Sequence, residues 1–166
     1  MGPRTRAQLA DALARKAVPA EVAESVLRRF EEVDLIDDQE FARQWVASRH
    51  VGRGLAPRAL AHELSRRGVE SEVVRDAVAG ISPDDELVAA RELVRRRLPS
   101  MLSDDPARRT RRLASMLARK GYGSGLVYRA IREELADQAV ALADQALADQ
   151  EVDDQEVDDQ EVDDQP

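Results

Sequence analysis

Three stretches of this 166-residue chain overlay one another: LADALARKAVPAEVAESVL from Leu9, LAHELSRRGVESEVVRDAV from Leu60 and LASMLARKGYGSGLVYRAI from Leu113. Leu9, Leu60 and Leu113 correspond, as do Leu13, Leu64 and Leu117, then Lys16, Arg67 and Lys120, then Val18, Val69 and Tyr122. Each copy reads as helix, tight turn, helix. The two later turns carry Gly68 and Gly121, the residue type that enters left-handed backbone without steric cost. A further helix precedes the second and third copies, starting after the acidic pairs Asp37–Asp38 and Asp84–Asp85. The unit is therefore about three helices, or roughly 50 residues, and units of that size seldom bury their apolar faces alone. The expected fold is all-α: an elongated, curved array of tandem three-helix repeats.

Apolar periodicity near 3.6 runs through the chain, and no stretch keeps a period of two. Residues 4–36 read as an incomplete first repeat without its initial helix, with Leu9 and Leu13 on one helix and Val22, Val26, Phe30 and Val33 on the next. Residues 37–80 form the second repeat. Phe41 and Trp45, four apart, are expected to fill its core seam, with Leu60 and Leu64 inward. Gly52 and Gly54 mark the end of its first helix and Gly68 the end of its second. Residues 84–136 form the third repeat, with Leu113 and Leu117 inward and Gly121 at the turn. Tyr122 takes the structural position of Val69, with room for its hydroxyl to reach solvent. Residues 137–148 can continue the last helix. Residues 149–166 repeat DQEVD three times, and so many like charges with so little apolar surface predict a disordered acidic tail.

Charge divides the chain in the same place. The net charge is −8, yet residues 1–136 carry +4 and residues 137–166 carry −12. The body is the basic part, and 23 of its 25 cations are arginine, the better partner for phosphate or carboxylate. The absence of cysteine removes disulfide scaffolds, thiol nucleophiles and cysteine-rich zinc sites. No apolar run approaches the ~20 residues of a membrane span, so a soluble, cytoplasmic protein is expected. His50 and His62 belong to no metal or catalytic motif. The pairs Asp37/Asp38, Asp84/Asp85 and Asp104/Asp105 each precede a helix, where aspartate caps free amides. Neither an enzyme nor a cofactor is indicated.

The candidate binding residues are arginines. Arg49, Arg53 and Arg58 surround the Gly52–Gly54 connection. Arg91, Arg95, Arg96 and Arg97 follow on one helix, and Arg108, Arg109, Arg111 and Arg112 cluster on the next. Such clusters engage DNA phosphates or acidic protein grooves.

The sequence also resembles the RecX family, bacterial regulators of the RecA recombinase. The resemblance rests on RTRAQLADAL (Arg4–Leu13), VLRRFEEVDLIDDQEFARQWVASR (Val26–Arg49), GLAPRALAHELSRRGV (Gly54–Val69) and RRLASMLARKGYGSGLVYRAI (Arg111–Ile131). It covers about residues 4–136 and implies a modular helical protein of tandem three-helix repeats. It further implies a non-enzymatic inhibitor, without cofactor, that binds the groove of the RecA nucleoprotein filament. Such a protein suppresses strand exchange, ATP hydrolysis and the coprotease role in the SOS response. By resemblance and charge placement, the filament-binding face would draw on Arg49, Arg53, Arg58, Arg95, Arg96, Arg108 and Arg112. Electrostatic contact with single- or double-stranded DNA and a monomeric state are also expected. The alternative is a general DNA-binding or architectural helical-repeat protein that needs no RecA. Two features depart from the family pattern. The chain begins too late to contain the helix that usually precedes Arg4–Lys16: either its start is truncated or the first repeat is incomplete, which should expose apolar residues around Leu9 and Phe30. The DQEVD tail is extra, and either competes with DNA for the basic body or aids solubility.

Overall fold

The computed structural model describes residues 3–161, with side chains through residue 147. Eight α-helices follow one another among them: α1 (Arg6–Arg15), α2 (Ala20–Glu32), α3 (Asp38–Arg53), α4 (Pro57–Ser65), α5 (Ser71–Ala79), α6 (Pro83–Arg97), α7 (Pro106–Arg119) and α8 (Ser124–Glu161). A short 3-10 turn, Leu98–Met101, links α6 to α7. No described helix is long and apolar enough to cross a membrane.

The helices start where the sequence supplies caps. Thr5 closes a capping box with Gln8 at the head of α1, and Ser82 does so with Asp85 at the head of α6. Asp37 and Asp105 accept the amides of Glu40 and Arg108 as the caps of α3 and α7. Asp38 works across the chain instead, accepting the amide of Arg6 at 2.9 Å. It therefore satisfies the start of α1 rather than of its own helix.

Two apolar clusters make up the core, one per complete repeat. Phe41, Ala42, Val46, Leu60, Leu64, Val69 and Val74 join α3, α4 and α5. Ala90, Val94, Leu98, Leu113, Leu117, Val127 and Ile131 join α6, α7 and α8. Each is one amphipathic side of three helices, the expected solution for units that bury one stripe each.

The repeats meet through a junction used twice. The buried Thr5 hydroxyl donates to the Arg67 carbonyl at 2.6 Å. The Ala56 amide donates to the Lys120 carbonyl at 2.9 Å. The overlay places Thr5 level with Ala56, and Arg67 level with Lys120. The head of one repeat's helix thus satisfies the last carbonyls of the next repeat's turn. Gly68 and Gly121 make the approach possible. Both have positive φ, and a Cβ on them would lie 2.3 Å from the Ala7 Cβ and 2.7 Å from the Ala59 Cβ, respectively.

Several expectations change in detail. Gly52 lies inside α3, which ends one residue before Gly54, where the backbone turns left-handed. Tyr122 does not reach solvent: it is buried, and its hydroxyl donates to the Gly54 carbonyl at 3.2 Å. Phe30 is 39% exposed and belongs to an open stripe with Val22, Val26 and Val33. The equivalents of Val22 and Val26, which are Val73 and Ala77 on α5 and Leu126 and Ala130 on α8, pack into their clusters, and no described helix covers α2 in that way. Leu9 is half-buried. The backbone of α8 stays helical through residues 149–161, where the acidic repeat reads as disordered. Residues 162–166 lie outside the described residues.

Candidate functional site

α7 carries a strongly two-sided sequence. Leu113 and Leu117 point into the core, while Arg108, Arg112, Ser115 and Arg119 recur at helical spacing on the outer side. Arg97, from the last turn of α6, reaches the same side. Together with Arg111 these residues line an open groove of about 490 Å³. Five guanidiniums therefore face one concavity. One acid organises it: the largely buried Asp104 carboxylate binds Arg112 and lies 3.9 Å from Arg108. Among the described residues Arg97, Arg111 and Arg119 have no ion-pair partner, and all three are exposed. Such a groove is built to hold several anionic groups at once through forked N–H donors.

The structure separates arginines that look alike in the sequence. Arg91 and Arg95 do not join the groove. Arg95 donates to the Glu134 carboxylate at 2.6 Å, and Arg91 binds Glu134 at 3.3 Å as well as Glu133 and Asp137. The Glu134 hydrogen bond, then its charge, raises the Arg95 pKa. Both side chains hold α6 against α8. Arg96 lies 3.5 Å from Glu92 on its own helix. Arg109 is half-buried, and its Nε has no described hydrogen-bond partner. It occupies the overlay position of Thr5 and Ala56, where no further turn docks among the described residues.

Around the α3–α4 connection the picture is also divided. Arg53 and Arg58 are exposed, at the end of α3 and the start of α4. Arg49 lies over the indole of Trp45, 4.2 Å from its centroid, and Arg67 covers it at 3.7 Å. Trp45 also stacks on Phe41 and donates Nε1–H to Glu63 at 2.9 Å. Phe41 is core as expected, but Trp45 is only half-buried and serves as a platform for two arginines.

A second groove, of about 700 Å³, went unnoticed in the sequence. It lies where α1 meets the end of α4, and is lined by Arg4, Arg15, Arg66 and Arg67 with Asp11 and Gly68. A signal for it was present. The overlay that aligns Lys16, Arg67 and Lys120 also aligns Arg15, Arg66 and Arg119, one position earlier.

The titratable groups at the second junction have structural roles. His50 donates Nδ1–H to the Leu55 carbonyl at 2.9 Å. Burial pushes the Glu86 carboxyl up, with His50 opposing. Burial, then the charge of Glu86, pushes the Tyr122 phenol up to about 12.

Known proteins agree with this architecture. Residues 37–78 match the family model described as RecX, second three-helix domain, and residues 84–131 match RecX, third three-helix domain. The regulatory protein RecX of Thermobifida fusca (strain YX) is 57% identical over 138 residues, covering 83% of this chain and 75% of that protein. The regulatory protein RecX of Streptomyces lividans is 52% identical over 136 residues, covering 82% and 72%. In structure, the chain is similar to the crystal structure of RecX from Lactobacillus salivarius, with TM-score 0.74 and 18% identity, covering 80% of this chain and 86% of that one. With two consecutive repeat models matched and more than half of the residues shared with relatives over some four fifths of its length, the chain belongs to the RecX family.

Proposed function

We propose that the protein is a stoichiometric, non-enzymatic inhibitor of RecA that binds in the groove of the RecA–DNA filament. The observation that carries this reading is the α6–α7 groove, where five arginines face one concavity with a single acid among them. Family membership supports RecA as the regulated protein, and the groove offers a surface suited to a filament of phosphates and acidic side chains. Helices lodged in that filament would block access of homologous duplex and restrict the subunit movements that ATP turnover requires. No bond is made or broken by the protein itself.

The reading is tested by titrating the protein into RecA-catalysed strand exchange while following ATP hydrolysis. Both activities should fall at near-stoichiometric ratios to bound RecA. Inhibition should weaken when Arg108 and Arg112 are changed to Glu, with the helical circular dichroism unchanged. Full RecA activity at equimolar protein would reject the reading. If the protein then bound duplex DNA as tightly without RecA as with it, the general DNA-binding alternative would take its place.

A further inference from the structure

We infer that the seam between α7 and α8 is a docking groove for an acidic protein segment, one that anchors an aliphatic or aromatic side chain beside Tyr128 and sets a carboxylate against Arg132. Thr110, Gly125, Tyr128, Ile131 and Leu135 line an open groove of about 490 Å³ there, with Arg129 and Arg132 at its rim. Ile131 is buried and forms the floor, while Tyr128 is 61% exposed and forms a wall. This groove is separate from the arginine groove. Thr110 stands two residues from both Arg108 and Arg112, which puts it on the opposite side of α7.

One exposed tyrosine needs no explanation in itself. The same seam in the other repeats gives this one its meaning. In the first repeat charge closes it: Arg6 donates to Glu24 at 2.6 Å and pairs with Glu31 at 2.9 Å. In the overlay those three positions are Thr110, Tyr128 and Leu135 of the third repeat. In the second they are Pro57, Arg75 and Ser82, and Arg75 is taken up by Glu72 and Asp76 of its own helix. Of the three repeats, the third alone has no charged residue at these positions. Gly125 adds an independent sign. Its equivalents are Glu21 and Glu72, each the acid of its helix's first turn. α8 has no acid there, and glycine in a helix costs stability. Neither backbone nor packing calls for it: Gly125 has no positive φ, and a Cβ on it would meet nothing within 4 Å. The missing side chain leaves the mouth of the groove clear, as glycine does where a ligand approaches a backbone closely.

The charge of the partner follows from the lining. No acid borders the groove. Arg129 is held by Glu133 at 2.8 Å, while Arg132 is exposed with no ion-pair partner among the described residues. One available guanidinium beside an apolar trough fits a segment with one apolar anchor and an adjacent carboxylate. A nucleic-acid strand carries a charge at every step, and is matched by the arginine groove rather than by this one. The inference goes beyond the proposed function: it gives the chain a second, protein-binding face that needs neither RecA nor DNA.

The test is fluorescence anisotropy with the full chain and a labelled heptapeptide that sets one phenylalanine and one leucine among aspartates. Replacing the two apolar residues of the peptide by serine should weaken binding about tenfold, as should Tyr128→Ala, and Arg132→Ser should weaken it about fivefold. Gly125→Gln should weaken it about tenfold while raising the melting midpoint, because glutamine fills the mouth yet suits the helix. A glycine needed only by the fold would lower the midpoint instead, and that result would count against the inference. Arg112→Glu, in the arginine groove, should change peptide affinity by less than about twofold. Circular dichroism checks the folding of each variant. Absence of saturable binding up to about 1 mM peptide would overturn the inference. So would loss on Arg112→Glu with none on Tyr128→Ala, which would assign acidic peptides to the arginine groove. Displacement of the peptide by a thymidine oligomer whose own binding needs Tyr128 would make the groove a base-stacking site, and would overturn it too. Every arm is read without RecA, so the proposed function stands or falls separately in the strand-exchange titration.

Discussion

At the residue scale, the turn position shared by the three repeats shows how much one Cβ decides. Gly68 and Gly121 take left-handed backbone and lie against Ala7 and Ala59. The first repeat has Ala17 at that position, with φ of 56°. Ala17→Gly is expected to stabilise the protein by about 0.5–1 kcal/mol, because glycine relieves a strained φ. Gly121→Ala is expected to cost about 2 kcal/mol or more, since it adds the same strain to a collision with the Ala59 backbone. Urea denaturation of both variants checks the opposite signs. Tyr122 is a second such residue. Tyr122→Phe should cost about 1 kcal/mol by leaving the Gly54 carbonyl without its donor. It should also change the alkaline limb of stability. The folded phenol holds its proton up to about 12, whereas the unfolded one releases it near 10. The folded state therefore binds more protons between those values, so stability falls as pH rises from about 10 to 12. A flatter limb in the Phe variant is the expected result of melts at those pH values.

At the element scale, α8 is held to α6 by charge as well as by apolar packing. Glu134 is 5% exposed and accepts from both Arg91 and Arg95. The overlay places Phe30 and Ile81 at the same position in the other repeats, so this ion cluster belongs to the third repeat alone. Glu134→Gln is expected to destabilise by about 2 kcal/mol, less than for a fully buried pair because the Arg95 side chain is 58% exposed. Hydrogen exchange should quicken along α6 and α8 first. Most of the helix pattern was legible beforehand, because amphipathic period, capping residues and glycines are local signals. The candidate site was legible only in part. Arg108, Arg111, Arg112 and Arg97 were found as a charge cluster, but Arg91 and Arg95 looked the same, and their acid lies 39 or more positions away. Arg119, two turns on from Arg112, completes the α6–α7 groove unnoticed, while Arg4, Arg15 and Arg66 are too scattered to read as a cluster until the first junction closes.

At the scale of the whole molecule, the turn after α1 and the head of α7, which dock on no described repeat, differ from the two closed junctions in a way that opposes head-to-tail contact between copies. Ala17 presents a Cβ where the junctions have glycine, and Arg112 stands at the overlay position of Ala59, the residue that Gly121 touches. A heterologous interface of that kind would otherwise propagate into a filament. A single monomeric species in sedimentation velocity across a hundredfold concentration range is therefore expected. The acidic end acts on a different quantity. Past Asp137, α8 adds no described residue to the core, and residues 141–147 are all exposed. Deleting residues 149–166 removes ten acids, and should leave the melting midpoint unchanged while raising nucleic-acid affinity at low salt. Unchanged affinity would show that the acidic end does not compete for the basic faces.

The repeat, the helix boundaries to within a few residues except at the end of α8, and the split between a +4 body and a −12 end follow from the sequence alone. They are written in nearest-neighbour spacing and in composition, which need no knowledge of distant contacts. Which arginines remain available could be decided only by the tertiary structure. An arginine is neutralised by whichever carboxylate the fold brings within about 4 Å, and that pairing depends on helices meeting across the chain. The same stacking brings Arg15 and Arg66 to one groove, because only a completed junction gives separate helix ends a common face.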